Sequence, residues 1–194
     1  MPTPHLALRV IRDEHAALAA MLLAMRQMIE RGPQDDAPRF FEVLRAMLFY
    51  IDEFPERLHH PKESSLLFPR VARRTPALMD AIARLERDHL KGEVAVRELM
   101  HKLIAWELLG DGCKEAFIDS ARRYLDFYVD HMRLEEEAIL PEAEAQLTEA
   151  DWKELDAAFA ENQDPLTGQH VPSPAYEKLF TRIVSMAPSP IGVG

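Results

Sequence analysis

Leu8, Ile11, His15, Leu18, Leu22, Met25 and Ile29 step along the chain by three and four, the spacing of a single helix face. The pattern predicts a helix with His15 on its apolar seam, stopping near Gly32-Pro33. Pro38 opens a second helix with Phe41, Leu44, Leu48 and Ile51 as its stripe; Pro55 interrupts it, and the track resumes through His59 and Glu63. Prolines 55 and 61 are expected to kink or loosen this helix. Thr75-Pro76 starts a third, lined by Leu78, Ile82, Leu85, His89, Val96, Leu99 and Leu103, and Gly110-Asp111-Gly112 ends it. The fourth carries Phe117, Tyr124, Phe127, Tyr128, His131, Leu134 and Ile139 and ends near Pro141. With no alternating β-branched run, the chain reads as all-α: an antiparallel up-down four-helix bundle over residues 6–145.

Residues 146–194 read as a helical extension. Thr148-Glu149-Ala150-Asp151 resembles a helix start, followed by Trp152, Leu155 and Phe159 as an apolar edge. Asp164-Pro165-Leu166-Thr167-Gly168 is a turn-rich link, and Ser173-Pro174 caps a last helix bearing Tyr176, Leu179, Phe180 and Ile183. Helices this short do not stand alone. They are expected to pack on the bundle or on a second copy of the chain, which makes a homodimer through the extension an expectation.

The helical tracks carry a repeated motif. His59-His60-Pro61-Lys62-Glu63 runs on to Pro69, and His131-Met132-Arg133-Leu134-Glu135 runs on to Pro141; both are H-x3-E-x5-P. A second His lies upstream of each, after acidic residues: Asp13-Glu14-His15 and Asp88-His89. The separations from His15 to His59 and from His89 to His131 are nearly equal, which marks a duplicated two-helix unit. Positions i and i+4 share a helix face, so each motif aims an imidazole and a carboxylate at one point.

Exposed His–Glu pairs on a helix are ordinary and contribute a few tenths of a kcal/mol. Here His15, His89 and His131 fall on apolar seams instead, and ionised carboxylates brought there cost several kcal/mol unless something binds them. A metal site formed by His15, His59, Glu63, His89, Glu93, His131 and Glu135 answers that cost. Glu93 enters as the residue four after His89, either ligating or hydrogen-bonding a ligand. His59 is chosen over His60 because only His59 has Glu at +4; His60 is expected to support the site from outside or to lie at the surface. His5, His101 and His170 match nothing in the repeat and read as surface or packing residues. Tyr124, seven before His131, reads as core packing with its hydroxyl bonded, the methionines as core filler, and Glu136 and Glu137 as solvated.

Composition narrows the remaining classes. The 47% apolar and 29% charged content is that of a globular protein, and a net charge of −10 argues against nucleic acid and anionic membrane surfaces. The single cysteine, Cys113, fits a reducing compartment, no secretory leader is evident, and no apolar run reaches membrane-spanning length, so a cytoplasmic location is expected. No nucleophile elbow, P-loop or dinucleotide fingerprint is present, and no catalytic residue is assigned.

Taken together, Asp13-Glu14-His15, His59-His60-Pro61-Lys62-Glu63 with Leu67-Phe68-Pro69, Asp88-His89, and His131-x3-Glu135-Glu136-Glu137 with Ile139-Leu140-Pro141 resemble the hemerythrin-like, or HHE cation-binding, family. The resemblance implies a non-heme iron site, usually two irons bridged by two carboxylates and an oxo or hydroxo group, with Glu63 and Glu135 bridging by position. The donor types also accept manganese or zinc. Oxygen-carrying hemerythrins have a second His where Glu93 stands here, and His-x4-Asp where His131-x3-Glu135 stands. An imidazole traded for a carboxylate would make the site harder and favour the oxidised metal. That expectation favours binding or sensing of a small ligand such as O2, NO or peroxide over reversible oxygen carriage. Iron storage or homeostasis, iron-centre repair, and a metal-stapled partner-binding bundle without turnover are the alternatives, and whether the chain is an enzyme stays open.

Overall fold

In a computed structural model of the chain, the described residues are 5–167 and 174–193. Ser173, Gly168 and His170, singled out above, lie outside them. The described residues form helices joined by turns, with no strand among them.

Helix α1 (Leu6–Arg31) buries every residue of its predicted stripe and stops at Gly32, whose φ of 69° suits a residue without Cβ. Helix α2 (Ala37–Ile51) is capped by Asp36, whose carboxylate accepts from the Arg39 N–H at 3.1 Å, with Pro38 in the first turn. The chain then continues without a break through a π-helical stretch (Asp52–His59), α3 (His60–Lys62), a second π stretch (Glu63–Leu67) and α4 (Phe68–Arg74). A short 3₁₀ turn (Pro76–Leu78) leads into α5 (Met79–Leu109), and a 3₁₀ turn at Asp111–Cys113 into α6 (Lys114–Leu134). A third π stretch (Glu135–Ile139) joins α6 to α7 (Leu140–Gln146).

The two halves of the sequence repeat thus share a local structure: a π turn opens at each Glu and closes just before each Pro. The Phe68 N–H bonds the Glu63 carbonyl and the Leu140 N–H bonds the Glu135 carbonyl, five residues back in each case. Pro69 and Pro141 carry no N–H, and their rings would strike the carbonyl four residues earlier in a regular helix. Widening the turn relieves that clash without ending the helix. Pro55 lies inside the first π stretch, and Pro61 lies in the short α3 that follows it, so the expected disturbance takes the form of a widened turn before Pro61, which re-aims side chains on either side of the motif.

Two apolar clusters fill the interior. One gathers Leu18, Met25, Leu44, Phe54, Val96, Tyr124, Tyr128 and Met132 with their neighbours; the other gathers Leu8, Ile11, Leu67, Phe68, Leu85, Ile139 and Leu140. His15, His59, Glu63, His89, His131 and Glu135 fall between the two clusters along each helical track, so the polar residues form a layer with apolar packing on both sides.

The extension packs on this body. Helix α8 (Glu149–Phe159) starts from a reciprocal capping box of Thr148 and Asp151 and lies on α1, burying Trp152, Leu155 and Phe159. His5 stacks on Trp152, ring centroids 4.3 Å apart. Helix α9 (Glu177–Met186) lies on α2 and buries Phe180 and Ile183. Both helices thus dock on the body of the same chain.

Candidate metal centre

The polar layer brings five imidazoles and two carboxylates to one place. The α1 stripe supplies His15; the π-widened second track supplies His59, His60 and Glu63; α5 supplies His89; α6 and the π stretch after it supply His131 and Glu135. All seven are buried, and Glu63 and Glu135 are fully so. Two subsets place one ligand atom per residue within 4.8 Å of one another: His60, Glu63, His89 and His131, and His15, His59 and Glu63.

Both carboxylates face two ways. Glu63 Oε1 is 3.0 Å from His59 Nε2, and its Oε2 is 3.5 Å from His89 Nε2. Glu135 Oε2 is 3.2 Å from His15 Nε2, and its Oε1 is 3.5 Å from His131 Nε2 and 3.8 Å from His89 Nε2. Each carboxylate gives one oxygen to the His15/His59 side and the other to the His89/His131 side.

The rings are held from outside. Glu14 Oε2 accepts from His59 Nδ1 at 2.6 Å, Glu136 Oε1 from His15 Nδ1 at 3.1 Å and Glu56 Oε2 from His60 Nδ1 at 3.0 Å; Ser64 Oγ meets His89 Nδ1 at 2.8 Å. A carboxylate opposite Nδ1 keeps the proton on that nitrogen and turns Nε2 inward as a lone pair, the arrangement of a metal-binding imidazole.

Electrostatically the cluster is divided against itself. Burial opposes charge on His15, but the carboxylates of Glu135 and Glu136 beside it outweigh burial and lift its pKa to about 9. His59 is likewise raised against burial by Glu63 and Glu14. Burial, with the neighbouring His89 adding to it, pushes His131 down to about 3, and burial and the other imidazoles push His60 well below the usual range. Burial and then the Glu63 charge push Glu135 up.

Hydrogen bonding tests whether these residues fit a cation. Among the described residues, the buried side-chain polar atoms without a hydrogen-bond partner are Asp52 Oδ1 and otherwise belong to this cluster: His59 Nε2, both oxygens of Glu63 and of Glu135, His89 Nε2 and both nitrogens of His131. Each such atom costs about 1–3 kcal/mol when left unmade. Apart from Asp52 Oδ1, which lies beside Arg97, and His131 Nδ1, which faces Asp88, these atoms lie in one layer, and a cation there satisfies them together. Nitrogen and oxygen donors without thiolate suit iron, manganese or zinc.

Two sequence expectations need correcting. Glu93 does not join the cluster: its side chain is 46% exposed and pairs with Arg97 at 2.9 Å. His60, expected outside or at the surface, is 4% exposed and stacks on His89 with centroids 4.2 Å apart. Glu63 is i+4 from His59 but also i+3 from His60, and both spacings share a face. The carboxylate sits between the two adjacent rings. Glu93 thus lies outside the cluster, whose fifth imidazole belongs to His60. Glu136, expected to be solvated, is half-exposed yet holds His15. Glu14 stands in the Asp13-Glu14-His15 motif, but its bond to His59, like the roles of Glu56 and Ser64, carried no sequence signal, since partners on separate elements are set by how the helices face one another.

A search for curated relatives finds no match. The family model of the hemerythrin HHE cation-binding domain matches residues 6–143, the stretch that contributes all five imidazoles and both carboxylates, and the chain belongs to that cation-binding family.

Proposed function

We propose that the chain holds a pair of iron ions within an antiparallel up-down four-helix bundle spanning residues 6–145, and that it binds or senses a small ligand such as O2, NO or peroxide. His60, His89 and His131 would hold one ion and His15 and His59 the other, with Glu63 and Glu135 within reach of both. The observation that carries this reading is the two-way geometry of Glu63, with one oxygen 3.0 Å from His59 Nε2 and the other 3.5 Å from His89 Nε2. A bound iron pair supplies redox-active positions that accept a diatomic or peroxide.

The chain's own residues bias where that ligand goes. The His15/His59 side has one imidazole fewer, so an ion held there would leave more room for an added ligand. Beside it lies a cavity of about 10 Å³, about the space of one water-sized sphere. Leu18, Phe54, Pro55 and Met132 give it apolar walls, while Glu14 and Asp164 add carboxylates. Its size favours a diatomic or peroxide over an organic substrate. Asn162 Nδ2 donates to Glu14 Oε2 at 3.0 Å, so the extension helps close this end of the site.

No helix among the described residues is long and apolar enough to cross a membrane. We place the protein in the cytoplasm on the strength of its single, unpaired Cys113.

Anaerobic reconstitution with ferrous iron followed by metal analysis tests the pair, with close to two ions per chain expected. Titration of the reduced protein with O2, NO and peroxide tests the ligand. A reversible spectral change is expected; rapid cycling would instead make it an enzyme, and inertness a metal-stapled bundle.

A further inference from the structure

Glu56 is buried, 6% exposed, and belongs to neither ligand subset. Both of its oxygens are engaged. Oε2 accepts from His60 Nδ1 at 3.0 Å; Oε1 accepts from the Tyr124 hydroxyl at 3.2 Å and from the Tyr128 hydroxyl. Tyr124 and Tyr128 are buried, and the Tyr128 ring lies nearly parallel to His60, 9° between planes with centroids 5.7 Å apart. His60 also stacks on His89. His60 is thus held against two near-parallel rings and bonded through Nδ1.

This clamp depends on Gly92. A Cβ at that position would collide with the Tyr128 hydroxyl and come within 2.9 Å of Glu56 Oε1. Gly92 is buried in the middle of α5, where glycine is unfavourable relative to alanine by about 1 kcal/mol. The missing side chain leaves the space in which two tyrosine hydroxyls reach one carboxylate. Glu56 is four residues before His60, so the second helical track brings its own clamp to the ring.

We infer that Glu56, oriented by Tyr124 and Tyr128 in the space left by Gly92, is the positioning residue that makes His60 a metal ligand and so completes the three-imidazole half of the site. The inference rests on the reading of the cluster as a two-ion centre. With Glu56 in place, the Nδ1 proton is fixed and Nε2 faces Glu63, His89 and His131. Without it, the ring keeps its stacking neighbours but loses the bond that sets its tautomer and its rotation.

Cobalt(II) is the probe, with metal count and stepwise affinity read by chelator competition. The exchangeable, paramagnetically shifted N–H signals of the bound imidazoles report whether the His60 Nδ1 proton is held. Wild type is expected to take two cobalt ions. Glu56→Ala should weaken one of the two by about 10–100-fold and lose one slowly exchanging N–H signal. Glu56→Gln, whose amide oxygen still accepts from Nδ1, should recover most of both. Gly92→Ala, which touches neither His60 nor Glu56 covalently, should weaken the same ion. Unchanged affinities and an unchanged N–H signal in Glu56→Ala and Gly92→Ala would overturn the inference while leaving the two-ion reading standing. Wild type that binds no cobalt would remove both. If Glu56→Ala does not fold by circular dichroism, Tyr128→Phe, which deletes one hydroxyl and adds no volume, decides with Gly92→Ala on the same readouts.

Discussion

The rings of His60 and His89 are stacked, centroids 4.2 Å apart and 12° from parallel, while His59, one residue earlier, faces His15 at 5.2 Å. Two adjacent histidines thus serve opposite sides of one carboxylate. His59→Ala and His60→Ala are each expected to leave about one ion per chain, and from different halves of the site. Metal analysis of the two variants and of the double variant checks this. Two ions retained in His60→Ala would return His60 to a supporting role.

Glu93→Ala is expected to keep the full metal complement. The Glu93–Arg97 pair is an exposed i,i+4 contact, both side chains about half in solvent, and such pairs contribute about 0–1 kcal/mol. A thermal melt within a degree or two of wild type, with unchanged metal content, is the expected result. Loss of an ion on this substitution would mean that Glu93 swings inward.

These two residues show what the sequence made legible. His15, His89 and His131 were readable because each interrupts an apolar stripe, and a stripe of period 3.6 survives translation into a helix. Glu93 misled because His89 sits at one margin of the buried face of α5, whose centre runs through Gly92, Val96 and Leu99. A four-residue step advances about 40° beyond a full turn and carries Glu93 past that margin toward solvent. His60 was hidden by counting a single spacing, although His-His-x-x-Glu contains both i+3 and i+4. The clamp of Glu56 by two tyrosines joins the second track to α6, and no single-helix pattern encodes which residues of separate helices meet. The π turns were half legible: the repeated proline announced a disturbance, but only backbone geometry shows that the helix widens instead of breaking.

Stripping the metal should lower the melting temperature at neutral pH. Without a cation, Glu63 and Glu135 face each other across a buried layer with their oxygens unpartnered. A ligand bound only by the native state adds stability by mass action, about 2.7 kcal/mol when free metal is a hundred times its Kd. Melting curves recorded with chelator and with added iron measure this directly. Superimposable curves would mean that the folded chain holds the layer together without a cation.

The extension carries its own acid-sensitive element. Asp151 accepts from the Thr148 hydroxyl at 2.6 Å and from the Thr148 N–H at 3.0 Å, and these bonds, with Arg74 helping, hold its pKa down to about 2 from an ordinary 3.8. The folded value lies below the unfolded one, so the native state binds fewer protons in that window. The contribution is fully present above pH 3.8 and disappears as the pH falls toward 2. Asp151→Asn should therefore be less stable than wild type at pH 6, with the gap closing across this acid window. Thr148→Ala, which removes the other half of the cap, should cost about 1 kcal/mol. A gap independent of pH would place the effect of Asp151 outside the cap.

The cavity offers the sharpest separation of metal binding from ligand binding. Leu18 lines it together with Phe54, Pro55 and Met132, one turn along α1 from His15. Leu18→Phe should fill the space while leaving all seven donors in place. Overpacking of this kind costs about 1–3 kcal/mol, which a melt will register without preventing folding of a bundle this size. The expected outcome is an iron content equal to wild type and a loss of azide binding to the oxidised protein, followed by its optical change on titration. Azide is a suitable probe because it is a small linear anion that needs both an open metal position and a cavity beside it. Undiminished azide binding in Leu18→Phe would show that ligands approach from the His60/His89/His131 side, where the stacked rings leave less room, and the assignment of the open position to the His15/His59 side would fall.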